Sequence, residues 1–329
     1  MKLSMMLPAK ADRRWTLASQ MGVRHVISKL APELTGNPPP YEEQSLKVAQ
    51  DEYARAGFEL TGLEGDQFDM SRIKLGLRGR DEDIERYQQM LKVMGRCGVH
   101  LLCYNFMARI GWYRSASAIQ GRGGAQVSGF KVQDADREGL TELGVIPSDR
   151  IWDNYRYFIE AVMPAAEEAG VRMALHPDDP PVPSLRGIGR IFHDRAGLDR
   201  ALSLSDSPSH ALTFCQATLT AMGENLEECI NTWRERIAFI HVRDLRGTSE
   251  DFVETFPEDG DTDMPAVFRA YAKAGLNVPM RPDHAPAIEG DQVHNGPVAG
   301  MNVGYEAYGM VYTVGYIKGL LQGSDLQFT

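Results

Sequence analysis

Short apolar runs alternate with longer amphipathic stretches along the whole chain, and this alternation limits the fold more than any other feature. The short runs lie at Lys2–Met6, Arg24–Ser28, Phe58–Leu63, Val99–Tyr104, Val171–His176, His210–Cys215, Ile237–Val242 and Asn277–Arg281. Between them, residues 41–56, 81–96, 151–169, 219–235, 263–274 and 309–321 carry apolar side chains three and four apart, the helical period. Four of these stretches end in Gly just before the next run, as in Ala56-Gly57-Phe58 and Ala169-Gly170-Val171. Gly supplies the left-handed residue that stops a helix. Eight strand-then-helix units predict an α/β fold of the (β/α)8 barrel type, with the first unit weakly marked. A doubly wound open sheet would carry a Gly-rich phosphate turn after its first strand, and Met5-Met6-Leu7-Pro8-Ala9-Lys10 offers none.

A barrel accommodates all 329 residues as one domain. Segment 112–149 is Gly-rich and polar, and is expected to be a long, lid-like insertion after the fourth strand. Hydrophobic residues make up 43% and charged residues 24%, enough for an ordinary core and unlike a disordered chain. The net charge of −10 disfavours nucleic acid and anionic membranes, which need a basic face. No apolar run approaches the roughly 18 residues of a membrane span. The first residues, MKLSMMLPAKADRRW, lack the apolar core of a signal peptide. The four cysteines, Cys97, Cys103, Cys215 and Cys229, form no CxxC pair. They read as reduced thiols of a cytoplasmic protein.

Barrel enzymes place their working residues where strands end. Four consecutive strands end in His176, Cys215, His241 and Asp283, separated by 39, 26 and 42 residues. Each interval is about one strand–helix unit, so the four side chains converge on one mouth. A single His there is more often a hydrogen-bonded structural residue, and a single Cys a small core residue. Four at successive strand ends are hard to explain as packing. Two imidazoles, a thiolate and a carboxylate suit a divalent transition metal: Mn²⁺, Fe²⁺, Co²⁺, Ni²⁺ or Zn²⁺ rather than Mg²⁺. His25, His100, His193 and His210 read as surface or locally hydrogen-bonded residues, and His294 in a loop with them. Asp178 and Asp179, flanked by prolines, read as turn caps or as neighbours of the metal. No Gly-x-Ser-x-Gly turn occurs.

Tyr104-Asn105-Phe106-Met107, His176-Pro177-Asp178-Asp179-Pro180-Pro181, Thr213-Phe214-Cys215, His241-Val242-Arg243, Gly260-Asp261-Thr262-Asp263-Met264 and Arg281-Pro282-Asp283-His284 resemble the mannonate dehydratase family in order and spacing. So does Ile73-Lys74-Leu75-Gly76. The resemblance runs over nearly the whole chain and implies a xylose-isomerase-like TIM barrel. It implies dehydration of D-mannonate to 2-keto-3-deoxy-D-gluconate in hexuronate breakdown, with Mn²⁺ or a similar ion on His176, Cys215, His241 and Asp283. It also implies His284 and Tyr305 as the acid/base pair, and Asn105, Arg243 and Arg281 as contacts to the sugar acid. Relatives commonly form homo-oligomers. This chain departs from the family pattern at Ser4-Met5-Met6-Leu7-Pro8, at Phe252–Pro257, which lacks a histidine often found there, and around Val303-Gly304-Tyr305.

Dehydrating an aldonate requires one group to take the C2 proton and another to protonate the departing C3 hydroxyl. His284 and Tyr305 fill these roles in either order. Guanidinium groups suit a carboxylate, so Arg243 and Arg281 either hold the substrate or pair with local acids. A metal-dependent sugar isomerase or epimerase on the same barrel, and a sugar-acid binder without catalysis, are the competing readings.

Overall fold

The computed structural model describes residues 1–291 and 304–329; His294 and Val303 lie outside them. Eight parallel strands form the central barrel: β1 (Lys2–Met6), β2 (His25–Ser28), β3 (Glu59–Glu64), β4 (Leu101–Tyr104), β5 (Arg172–Leu175), β6 (His210–Cys215), β7 (Ile237–Val242) and β8 (Pro279–Pro282). They close in the order β1-β8-β7-β6-β5-β4-β3-β2, which makes the barrel of the sequence reading. Strand residues point alternately inward and outward. Val26, Leu102, Met173, Leu212 and Ile240 join the large core shared with the helices. Their neighbours Ile27, Leu101, Cys103, Ala174, Ala211 and Phe239 form a separate buried cluster within the ring.

The weakly marked first unit does contain a helix, Arg13–Gln20, whose N-terminus is capped by the Asp12 carboxylate. The helical stretch expected over 219–235 is two helices, Gln216–Ala221 and Leu226–Trp233. Gly223, at φ +80°, ends the first, and the Asn225 side chain accepts the Glu228 N–H to begin the second. Segment 112–149 is not one long loop. It carries a hairpin, Ala116–Gln120 with Gln126–Lys131, and a helix, Val132–Arg137. The hairpin pairs with Asp251–Glu254, which pairs in turn with Leu245–Gly247, to make a four-stranded antiparallel sheet. Two connections, after β4 and after β7, thus meet as one small sheet beside the barrel. Among the described residues no helix is long and apolar enough to cross a membrane.

Candidate metal centre and its cavity

Register sets the site. Cys215, the last residue of β6, lies opposite His241 on β7, and His241 lies opposite Arg281 on β8. His176 directly follows β5, its backbone N–H bonded to Tyr104 O at 2.7 Å. Asp283 directly follows β8, its N–H on Val242 O at 2.9 Å. Ligand-type atoms of His176, Cys215, His241 and Asp283 consequently all lie within 4.8 Å of one another. A second grouping, Glu64 with Cys103, shares His241 and belongs to the same centre.

The electrostatics suit a cation. Burial opposes ionisation of Cys215, yet Arg243 and His176 outweigh it and hold the thiol well below its usual value. Burial would lower His176, but the Cys215 thiolate dominates and holds the imidazole up at about 9. Asp283 is likewise held well below the usual carboxylate range: burial opposes ionisation, and His284 and Arg281 override it. His176 Nδ1 lies 2.7 Å from Pro177 O. A carbonyl only accepts, so Nδ1 carries the proton and Nε2 remains to ligate.

His241 provides the sharper test of whether a metal fits. The residue is only 1% exposed, and neither ring nitrogen has a hydrogen-bond partner. Glu64 Oε2 stands 3.5 Å from Nε2 and Asp283 Oδ2 stands 3.8 Å from Nδ1, without hydrogen-bond geometry. A buried imidazole with two orphaned nitrogens, facing a thiolate and a carboxylate, fits a metal ligand better than a structural residue.

The centre forms part of the wall of a cavity of about 730 Å³, which Asn105, Trp112, Arg281, His284 and Tyr305 also line. Tyr305 donates its hydroxyl to Asp283 Oδ1 at 2.6 Å. Burial pushes this phenol well above its usual value, with Arg281 opposing and Asp283 adding to the rise. His284 packs edge-on against Trp112 and Tyr305, with ring centroids 5.0 and 5.4 Å away. Asn105 Oδ1 accepts from the buried Lys74 ammonium at 2.9 Å and from the Met107 N–H at 3.1 Å.

The two arginines differ. Arg281 lines the cavity while gripping Glu64 through Nε at 2.8 Å and Nη2 at 2.5 Å. Arg243 is not among the lining residues. Its guanidinium bonds Asp179 and Thr218 through Nη2, at 2.6 and 2.9 Å, and Glu254 through Nη1. It therefore acts behind the wall, tied to local acids, rather than on the cavity face. Asp178 accepts the Phe192 N–H at 2.7 Å, fourteen residues away, so it fastens two parts of its connection together rather than capping a local turn. Asp179 instead joins Arg114 and Arg243.

Sequence reasoning passed over Glu64, Arg114 and Glu254. Glu64 ends β3, so the strand-end rule reaches it. Glu254 lies on a strand outside the barrel, in a stretch with no catalytic signature, and only tertiary pairing brings it inward.

Comparisons with known proteins place the chain in a family. The family model described as D-mannonate dehydratase (UxuA) matches residues 14–145 and 137–328. Mannonate dehydratase 2 of Halalkalibacterium halodurans is 36% identical over 249 residues, covering 67% of this chain and 72% of its own. The mannonate dehydratase of Brachyspira hyodysenteriae is 31% identical over 339 residues, covering 92% of each. The crystal structure of mannonate dehydratase from Streptococcus suis serotype 2 superposes with a TM-score of 0.84 at 26% identity, over 99% of this chain and 95% of that one. A xylose isomerase domain protein from Planctomyces limnophilus and the D-psicose 3-epimerase from Clostridium cellulolyticum H10 each align with a TM-score of 0.62. They cover 98% and 99% of this chain and 98% of their own, at 11% and 13% identity, and share the xylose-isomerase-like barrel alone.

Proposed function

This chain belongs to the D-mannonate dehydratase family, a family of hydro-lyases, and from that membership we propose that its barrel mouth converts D-mannonate to 2-keto-3-deoxy-D-gluconate and water. The observation that carries the reading is the convergence of His176, Cys215, His241 and Asp283 beside His284 and Tyr305. These four residues hold a divalent ion, for which we assign Mn²⁺; Fe²⁺, Co²⁺, Ni²⁺ and Zn²⁺ suit the same donors. When bound, the ion stabilises negative charge developing near the substrate carboxylate.

The chain's own residues move the protons. His284 takes the C2 proton. The electron pair left on C2 forms the C2–C3 double bond as the C3–O bond breaks. Tyr305, which reaches Asp283 as a hydrogen-bond donor and so carries its proton, passes it to the departing hydroxyl. The resulting enol takes a proton at C3 and releases the proton of its C2 hydroxyl, becoming the 2-keto acid. Asn105 and Arg281 contact the sugar acid from the cavity wall, while Arg243 supports the thiolate and carboxylates from behind. Residues 1–329 act as one barrel domain, to which segment 112–149 contributes Trp112 and Arg114. A cytoplasmic homo-oligomer belongs to the same reading.

The test is direct. Protein stripped with a chelator is incubated with D-mannonate, with and without Mn²⁺, and products are weighed by mass spectrometry. A product lighter by one water, formed only with the ion, is the expected outcome. A product of unchanged mass would indicate an isomerase or epimerase instead, and turnover surviving complete stripping would remove the metal from the reaction.

A further inference from the structure

Glu254 stands outside the barrel, on the small antiparallel sheet, yet its carboxylate reaches into the site. It is 5% exposed. Its Oε1 lies 2.8 Å from His284 Nδ1, and it accepts from Arg114 Nη2 at 2.6 Å and from Arg243 Nη1. Its Oε2 accepts from Ser128 Oγ at 2.7 Å. The sheet fixes this arrangement. Asp251, Phe252 and Val253 pair with Lys131, Phe130 and Gly129, so the next step along the two strands sets Glu254 by Ser128. Arg114 enters from the start of the same segment and ties Glu254 to Asp179, whose oxygens it bonds at 2.6 and 3.0 Å.

We propose that Glu254 is the positioning residue that fixes the tautomer of His284, and that the small sheet serves to deliver it. Two groups compete for His284 Nδ1: the Glu254 carboxylate at 2.8 Å and Arg243 Nη1 at 3.2 Å. One ring nitrogen cannot donate to the first and accept from the second. The carboxylate is closer, and Arg243 Nη1 already donates to the same Glu254 oxygen. Nδ1 therefore carries the proton and donates to Glu254, leaving Nε2 with its lone pair to accept a proton from substrate. As Nε2 takes that proton, the carboxylate offsets the positive charge that forms on the ring. The edge-on packing of Trp112 against the ring limits its swing.

This inference rests on His284 being the base, so the experiment separates the two. In ¹⁵N-histidine-labelled protein loaded with diamagnetic Zn²⁺, long-range ¹H–¹⁵N correlations report which ring nitrogen bears the proton, and loss of signals in His284→Asn assigns the residue. A proton on Nδ1 is expected; a proton on Nε2 overturns the proposal whatever the activity. Kinetics with Mn²⁺ then use Glu254→Gln, His284→Asn and the double variant. Arg114 and Arg243 hold the Gln carbonyl in place of Oε1, so the fold is kept while the charge is lost. The expected loss in kcat for Glu254→Gln is at least about tenfold, with KM and bound metal unchanged. The double variant should be no slower than His284→Asn alone, because both act through one imidazole. Losses that multiply would assign Glu254 a merely structural role. Unimpaired turnover in His284→Asn would overturn the base assignment itself, with the tautomer result standing apart.

Discussion

A phenol and an imidazole share one neighbour in Asp283: Tyr305 donates to its Oδ1, and His284 Nε2 stands 3.8 Å from the same oxygen. Substitutions at the two should therefore affect chemistry before binding. His284→Asn is expected to lower kcat by about 10²–10⁴ while leaving metal content intact, checked by elemental analysis beside steady-state kinetics. Tyr305→Phe keeps the ring against His284 but loses the donor, and should slow turnover in a similar range. Asp244 provides a pH test away from the centre. Burial raises its carboxyl to about 7, against hydrogen bonds from Leu245 and Thr262. A carboxyl raised in the folded state contributes stability that is full below its unfolded value near 4 and is lost as pH rises through about 7. Thermal unfolding from pH 4 to 8 should show the wild type losing stability relative to Asp244→Asn, and parallel curves would contradict the assignment. At this scale the strand-end residues were legible because β alternation and barrel closure dictate where they point. Arg243 was not, because whether a guanidinium faces a cavity or a neighbouring acid depends on Asp179, from the connection after β5, and on Glu254, which folds back from eleven residues downstream in the connection Arg243 itself begins.

Elements explain which parts of the fold were readable. Barrel strands buried on both faces appear as continuous apolar runs, as in His210–Cys215 and Ile237–Val242, and both match the sequence reading to the residue. The hairpin strand Ala116–Gln120 is short and partly exposed, and its hairpin partner meets residues more than a hundred positions away. Nothing local distinguishes it from a loop. Its sheet has a tight spot at Gly129, where an added Cβ would come within 2.6 Å of Ile119 Cδ1 and 2.8 Å of Phe252 O. Gly129→Ala should shift the strand that bears Glu254 and lower kcat, while far-ultraviolet circular dichroism keeps the barrel signal. Unchanged turnover would detach the sheet from the site.

The molecule as a whole combines a fold with wide use and a site with narrow chemistry. Fold likeness extends to epimerases, whereas sequence likeness over most of the chain extends to mannonate dehydratases. Because the four donors come from separate strand–helix units, a bound ion ties together residues from β5 through the end of β8. Adding Mn²⁺ to stripped protein should raise its unfolding temperature, by about 2.7 kcal/mol of stabilisation at a hundredfold excess over the dissociation constant. The measurement closest to the central claim is anomalous diffraction from crystals grown with Mn²⁺, recorded on both sides of the manganese absorption edge. A single peak bonded to His176, Cys215, His241 and Asp283 is expected. A peak elsewhere, or none among those four side chains at saturating ion, would contradict it.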